Sequence, residues 1–312
     1  MAPDLGCVSV ILIFLNEERF LEEAIASVYA QSYASWELLL VDDGSADASS
    51  EIAKRHAARD PARVRYLEHP GHENRGMSAT RNLGIAAACG EFIAFLDGDD
   101  VWLRERLRRG VELLGEHTTA DMIYGKTQYW YSWSSDQPQR TDWIQPHGFR
   151  ANRVIRAPQL LIMHLLNEAS LPCMGSLTVR REAIRASGGF VDTFRGLYED
   201  QAFLARFCLH HDVFVADENW DCYRQHLASA CATADMRGDM IPARGAYMSW
   251  LTTYLDEQGM RSTRVWDALS FATKAGKYQR AGWRARLARS ALRASARMTM
   301  AMRPARLARD KA

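Results

Sequence analysis

AFLDGDDVW, residues 94–102, closes an apolar run on three carboxylates, Asp97, Asp99 and Asp100. The run, Phe92 to Leu96, has the length and continuity of a strand buried on both faces. Three like charges within four positions repel one another unless a positive charge lies between them. A divalent cation held by oxygen ligands would supply that charge. A solvated acidic turn opening the next helix is the alternative, since Asp favours turns and helix N-termini. The nonamer alone leaves both readings open.

The same plan recurs upstream. VSVILIF (8–14) is a continuous β-branched run that LNEERF interrupts, and Leu21, Ile25, Val28 and Tyr29 then mark a helix over 21–31. WELLLVDDGSADASS repeats it, with a strand at 36–41, an acidic glycine turn and a helix from about residue 48. A short strand is predicted at 63–69, a helix closed by Gly90 at 76–90, and a strand at 91–96 that runs into the three acids. A helix over 103–117 and a strand at 121–125 follow. The alternation predicts an α/β fold with a parallel, doubly wound sheet. Ligands of such sheets sit beyond the carboxyl ends of the strands, where LNEE, VDDGS and LDGDD all fall. Residues 126–175 lose the period and include Trp130, Trp133 and Trp143; they read either as a loop or hairpin lining a pocket or as edge strands with an aromatic core. Residues 176–190 read as strand, helix and Gly-Gly turn, and Glu199-Asp200 opens an amphipathic helix bearing Phe203, Leu204 and Phe207.

With 312 residues, 47% hydrophobic and 25% charged, the chain suits one large α/β domain with an appendage, or two domains. No apolar run is long enough to span a bilayer, and the first six residues lack the basic and apolar parts of a signal peptide. The cysteines at 7, 89, 173, 208, 222 and 231 form no C-x-x-C pair, as expected of free thiols in a reducing compartment. Together these features predict a cytoplasmic protein.

Four segments, in order, carry a family resemblance: VSVILIFLNEERFLEEAIASVYAQSYASWELLLVDDGSADAS, GMSATRNLGIAAACGEFIAFLDGDDVW, SGGFVDTFRGLYEDQAFLARF and YRQHLAS. Over about residues 7–230 the chain resembles glycosyltransferase family 2. The resemblance implies a GT-A fold, a Rossmann-like doubly wound mixed sheet. It implies an inverting, metal-dependent transfer of a sugar from a UDP-, GDP- or dTDP-linked donor to a hydroxyl acceptor. A glycan, a lipid-linked molecule or a protein would be that acceptor, in cell-surface polysaccharide, glycolipid or glycoprotein biosynthesis. It also divides the chain into residues 1–235, with a nucleotide-sugar half at 7–125 and an acceptor half at 126–235, followed by a helical region at 236–312.

The resemblance assigns roles residue by residue. Asp97 would reach the ribose and, with Asp99, belong to a Mn²⁺ or Mg²⁺ site; such a cation neutralises the departing diphosphate. Asp42 and Asp43 would accept hydrogen bonds from the base, or else form an Asx turn closed by Gly44. Asn16 and Glu17 would belong to the nucleotide pocket. Arg81, in a T-R-N segment where the family usually has A-R-N, would face base or diphosphate, or pair with an acidic turn. Asp200 would be the general base that inversion requires, with Glu199 beside it; the bland reading of this pair is a helix N-terminus. Gly188-Gly189 would let backbone approach a sugar. His226 would join the metal site or be structural, Arg224 would neutralise phosphate, and Trp102 would stack on a sugar or plug the helix start. A nucleotidyltransferase is the rival chemistry, but LNEERF offers no glycine-rich phosphate loop. A catalytically silent nucleotide-sugar binder is the rival of another class.

Charge is unevenly placed. Residues 261–312 carry 14 Lys and Arg against Asp267 and Asp310, which leaves an acidic body and a basic tail. Trp283, Leu287, Ala291, Ala294, Met298 and Met302 share one helical side, beside Arg286, Arg289, Arg293 and Arg297. Such a helix suits an anionic membrane surface, giving peripheral attachment; packing on the acidic body is the other reading. Nucleic acid is not expected, because no recognition motif accompanies the charge. The membrane reading predicts that the full chain pellets with anionic vesicles and a 1–260 truncation does not, and equal pelleting would overturn it.

Overall fold

The computed structural model describes residues 6–135, 140–276 and 293–301. Its strands and helices follow the order β1 (Val8–Phe14), α1 (Leu21–Tyr29), β2 (Trp36–Asp42), α2 (Ser49–Arg59), β3 (Val64–Glu68), α3 (Met77–Ala87) and β4 (Phe92–Asp97). Next come β5 (Val101–Trp102), α4 (Arg106–Glu116), β6 (Met122–Trp130), β7 (Trp143–Ile144), β8 (Arg153–Ile155) and α5 (Gln159–Leu165). The chain continues through β9 (Leu177–Arg180), α6 (Arg181–Ala186), α7 (Glu199–His210), β10 (Val213–Arg224), α8 (Ala230–Arg237), α9 (Met240–Glu257) and α10 (Arg264–Gly276). Residues 293–301 add a further helical segment.

One sheet runs β3-β2-β1-β4-β9-β6-β10-β5, with β7 on β6 and β8 on β10. The first four strands are parallel as the alternation predicts, but β9 is antiparallel to both β4 and β6. The sheet is therefore mixed, in agreement with the family resemblance rather than with the purely parallel expectation. Side chains alternate across β1: Val8, Val10, Leu12 and Phe14 pack with α1, α2 and α4, while Ile11 and Ile13 face the opposite layer. That second layer receives α5, α7, α9 and α10 through Leu161, Phe203, Leu251 and Leu269. Two core faces on one sheet explain why the parallel strands read as unbroken apolar runs.

Within 126–175, β6 continues to Trp130 and pairs with the short β7. The segment also contains α5, whose sequence QLLIMHL is apolar on nearly every side and so shows no period. The strand β10, which carries the YR of YRQH to its end, was likewise not anticipated. All six cysteines are free.

The helix α10 buries Val265, Ala268, Leu269 and Phe271 in the main core, so residues 261–276 are not a separable tail. Of the proposed amphipathic stripe, Trp283, Leu287, Ala291, Arg286, Arg289 and Met302 lie outside the described residues. In 293–301, Met300 is buried, Arg297 pairs with Glu168 at 2.8 Å, and Met298 points outward. A vesicle test accordingly needs truncation after Gly276, which keeps α10 in the core and removes Met300 from it. Among the described residues no helix is long and apolar enough to cross a membrane.

Gly84 of α3 lies against β1, and a Cβ there would stand 2.5 Å from Ile11 Cγ2. Gly84→Val is therefore expected to lower unfolding free energy by about 1–3 kcal/mol through overpacking, measurable by urea titration.

Candidate active site

The carboxyl ends of β1, β2 and β4 come together as the alternation requires, with Ile13 in register with Asp97 and Phe14 with Asp42. Gly98 donates its N–H to Ile13 O at 2.9 Å, and a Cβ there would stand 2.7 Å from Phe14 Cβ. Only glycine fits between the acids at that approach. Directly after the acids, β5 pairs antiparallel with Asp221 and Cys222 of β10, so the acidic turn bridges the parallel strands and β10.

That bridge fixes the last two acids. Asp100 is buried and its Oδ1 accepts the Arg224 backbone N–H at 2.8 Å. Arg224 Nε donates to Asp99 O at 2.7 Å, and its Nη2 pairs with Glu23 at 2.6 Å. The guanidinium packs against the rings of Phe20, Trp130 and Trp133 at 4.8, 4.6 and 5.1 Å. Arg224 is thus committed to holding the turn, not free for phosphate as expected. His226 Nε2 lies 3.0 Å from Asp99 Oδ2.

Arg81, only 1% exposed, joins this turn to the start of α7. Its Nη2 lies 2.6 Å from Asp97 Oδ1 and its Nη1 2.8 Å from Glu199 Oε1. Of the two expected roles for Arg81, the structure has the ion pair. Burial alone would weaken its hold on its proton, but Asp97 and Glu199 outweigh that and raise its pKa. Burial, with the charges of Asp200 and Asp97, pushes Glu199 up to about 8 despite Arg81. Glu199 Oε2 is buried and has no hydrogen-bond partner among the described residues. Burial also raises Asp200 above the usual carboxylate range, although its Oδ1 accepts the Gln201 N–H at 2.7 Å. A carboxylate with raised proton affinity suits a general base.

On the first two turns, Asn16 adopts φ 57°, and its Oδ1 accepts the Ala46 N–H at 2.7 Å. The Glu17 backbone N–H donates to Ser49 Oγ at 2.8 Å, while burial and the facing Asp99 and Asp97 push the Glu17 carboxyl up to about 8. Asp42 is fully buried; its carboxylate accepts from Ser45 N, Ser50 Oγ and Tyr66 OH. Asp43 accepts from the backbone of Arg75 at 2.7 Å and of Gly76 at 3.0 Å. As folded, Asp42 orders the turn that follows it and ties it to Tyr66 of β3, while Asp43 fastens the loop that enters α3.

Two expectations change. Trp102 is 3% exposed, donates Nε1–H to Gly175 O at 2.9 Å and lies beneath Arg106, so it plugs the core and offers no ring face to a sugar. Gly188 and Gly189 have φ of 78° and 63°, and Cβ atoms there would strike Arg206 and Asn82; the close approach is to the protein itself. Sequence reading also missed Asp221, which is fully buried and accepts from Thr127 Oγ1 at 2.8 Å. Burial pushes Asp221 up to about 7, and WDCYR gives no pattern that could have revealed it.

Among the described residues no group of three or more His, Cys, Asp and Glu side chains is arranged to hold a metal. Asp97 and Asp99, with His226 against Asp99, nevertheless concentrate negative charge opposite Glu17. That donor set fits a cation taking few protein ligands and completing its shell with phosphate oxygens and water, the usual manner of Mg²⁺.

Comparison with known proteins gives the family and the fold. Residues 9–186 match the family described as Glycosyl transferase family 2. Over 222 residues the chain is 33% identical to the uncharacterized glycosyltransferase EpsJ of Bacillus subtilis (strain 168), spanning 70% of this chain and 61% of EpsJ. A 119-residue segment is 36% identical to TuaG of the same organism, by its name a provisional teichuronic acid biosynthesis glycosyltransferase, and covers 38% of this chain and 46% of TuaG. The matched region thus spans less than two thirds of these relatives. Among solved structures, S. aureus TarS 1-349 superposes with a TM-score of 0.62 at 15% identity, over 93% of this chain and 80% of that one. Mannosyltransferase PcManGT from Pyrobaculum calidifontis, in complex with GDP-Man and Mn²⁺, gives 0.56 at 17% identity, over 97% and 86%. The chain belongs to glycosyl transferase family 2, and its fold is the GT-A fold.

Arg81→Met removes the cation from two acids at once. The expected cost is about 3 kcal/mol, at the low end for a broken buried pair because the Asp97 side chain is 33% exposed; chemical denaturation checks it.

Proposed function

We propose that this protein is a metal-dependent, inverting glycosyltransferase that moves a sugar from a nucleotide-diphosphate sugar to a hydroxyl acceptor in cell-surface polysaccharide biosynthesis. The observation that carries the reading is the Asp97–Arg81–Glu199 chain, which ties the D-G-D-D turn to the E-D pair 102 residues later. Family membership supports the class of reaction. TarS 1-349 is known in complex with UDP-GlcNAc and PcManGT with GDP-Man, which supports a nucleotide-sugar donor, and the name of TuaG supports the polysaccharide setting.

In this reading Asp99, with Asp97 and His226, would hold Mn²⁺ or Mg²⁺, whose chemistry is to neutralise charge on the departing diphosphate. Asn16 and Glu17 bound the nucleotide side of the site, and Asp42 and Asp43 shape its walls. Asp200 takes the proton of the acceptor hydroxyl as its oxygen attacks the anomeric carbon from the face opposite the leaving group. Arg81 holds Glu199 in place beside Asp200.

The deciding assay is nucleotide release from UDP-, GDP- and dTDP-sugars with Mn²⁺, Mg²⁺ or EDTA. Release from one donor, abolished by EDTA and by Asp99→Ala, is expected; release unaffected by either would sink the metal assignment. No release from any donor, with lipid and glycan acceptors supplied, would favour the silent binder.

Asp200 acts only when ionised, and burial raises its pKa. The rate should therefore fall as pH drops, with an acid limb above the ordinary Asp range. Asp200→Asn should abolish that limb and lower kcat by about 10²- to 10⁴-fold. A product that retains anomeric configuration by NMR would overturn the role given to Asp200.

A further inference from the structure

The E-D pair follows a residue in an unusual conformation. Tyr198, immediately before Glu199, has φ 66°, a left-handed geometry that costs a non-glycine residue about 1–3 kcal/mol and persists only where its surroundings impose it. The surroundings come from α9, which lies outside the 9–186 family match. Tyr247 stacks on Tyr198 with ring centroids 5.2 Å apart and planes at 17°. Tyr247 is 6% exposed, and its hydroxyl reaches toward Gln201 O at 3.5 Å, over the residue whose N–H binds the Asp200 carboxylate. One turn earlier, the charge of Arg244 acts on the Tyr198 hydroxyl, and its Nη2 donates to Ala272 O of α10 at 3.2 Å.

The same helix grips the approach to Tyr198. Trp250 meets Phe194 edge-on at 5.4 Å. On its other side this loop is held by α3: Ser78 Oγ donates to Phe194 O at 2.6 Å and Met77 N to Arg195 O at 2.9 Å. Arg81, which binds Glu199, belongs to that same helix. The E-D pair is therefore clasped between α3 and α9, and stacked aromatic rings are stiff, directional contacts.

From this clasp we infer that Tyr247 of α9, through its stack on Tyr198, is a positioning residue that sets the placement of Glu199 and Asp200. The C-terminal helices would then complete the catalytic centre as well as cover the core. The inference rests on the assignment of Asp200 as base. A displacement of about 1 Å in such a group can cost about 10²-fold in rate.

The test uses the full chain and the UDP-, GDP- or dTDP-sugar it turns over, comparing Tyr247→Leu, Tyr247→Phe, Tyr198→Gly and Asp200→Asn. Tyr247→Leu and Tyr198→Gly are expected to lower kcat about 10- to 100-fold with donor KM within about twofold. Tyr247→Phe, which keeps the ring, should recover most of that loss. Glycine relieves the left-handed backbone, so a kcat loss in a well-folded Tyr198→Gly separates positioning from simple stability and decides the matter if Tyr247→Leu does not fold. A crystal structure of either variant gives a reading independent of turnover: separation of Glu199 from Arg81 is expected, and an unmoved pair overturns the inference. Parental kcat in both ring-removing variants, with Asp200→Asn inactive, overturns the inference alone. An active Asp200→Asn overturns the base assignment and the inference with it.

Discussion

The Arg81 guanidinium is the constraint on which the site depends. It is buried, and a buried charge is costly unless paired and hydrogen-bonded. Here two carboxylates meet it, one from the end of β4 and one from the start of α7. The cost of burying the guanidinium is offset only while both carboxylates stay in register with it. The pair interactions therefore specify one arrangement of two distant segments, which is what a centre needing acids at a fixed spacing requires.

A second tie crosses the sheet. The mixed strand order places β9 and β6 between β4 and β10, yet the chain leaving β4 returns at once to pair through β5 with the end of β10. The acidic turn must span that gap, and Arg224 fills the space beneath it with its stem among aromatic rings and its polar atoms on Asp99, Asp100 and Glu23. Repulsion among the acids is thus only partly relieved within the protein. Glu17 and Glu199 are both pushed up to about 8. Residual negative charge at the mouth of a sheet is the electrostatic condition under which a cation and a diphosphate bind together.

Much of the fold was legible because its signals are local. β1, β2 and β4 are largely apolar runs, and each stops at an acidic turn within a residue of the position read from sequence. The helix α5 escaped because a short segment buried on nearly every side carries no 3.6-residue period. Trp102 stayed open between sugar and core because a Trp beside acids looks the same in sequence whether its ring faces a ligand or the core. Gly188 and Gly189 were correctly read as a turn, while their neighbours, Arg206 and Asn82, are fixed only by the folded chain.

The sequence by itself determined the alternation of strands and helices, the gathering of acidic turns at one sheet edge, and a family resemblance strong enough to mark Asp97, Asp99, Glu199 and Asp200. These follow from periodicity and residue type, which act over a few neighbours. Tertiary structure alone decided that Arg81 lies between Asp97 and Glu199, that Arg224 serves the turn, and that Tyr247 rests on Tyr198. Those contacts join residues 16 to 125 positions apart. Their partners are chosen by the packing of helices on a mixed sheet, where burial makes an unpaired charge or an unfilled ring face too costly to keep.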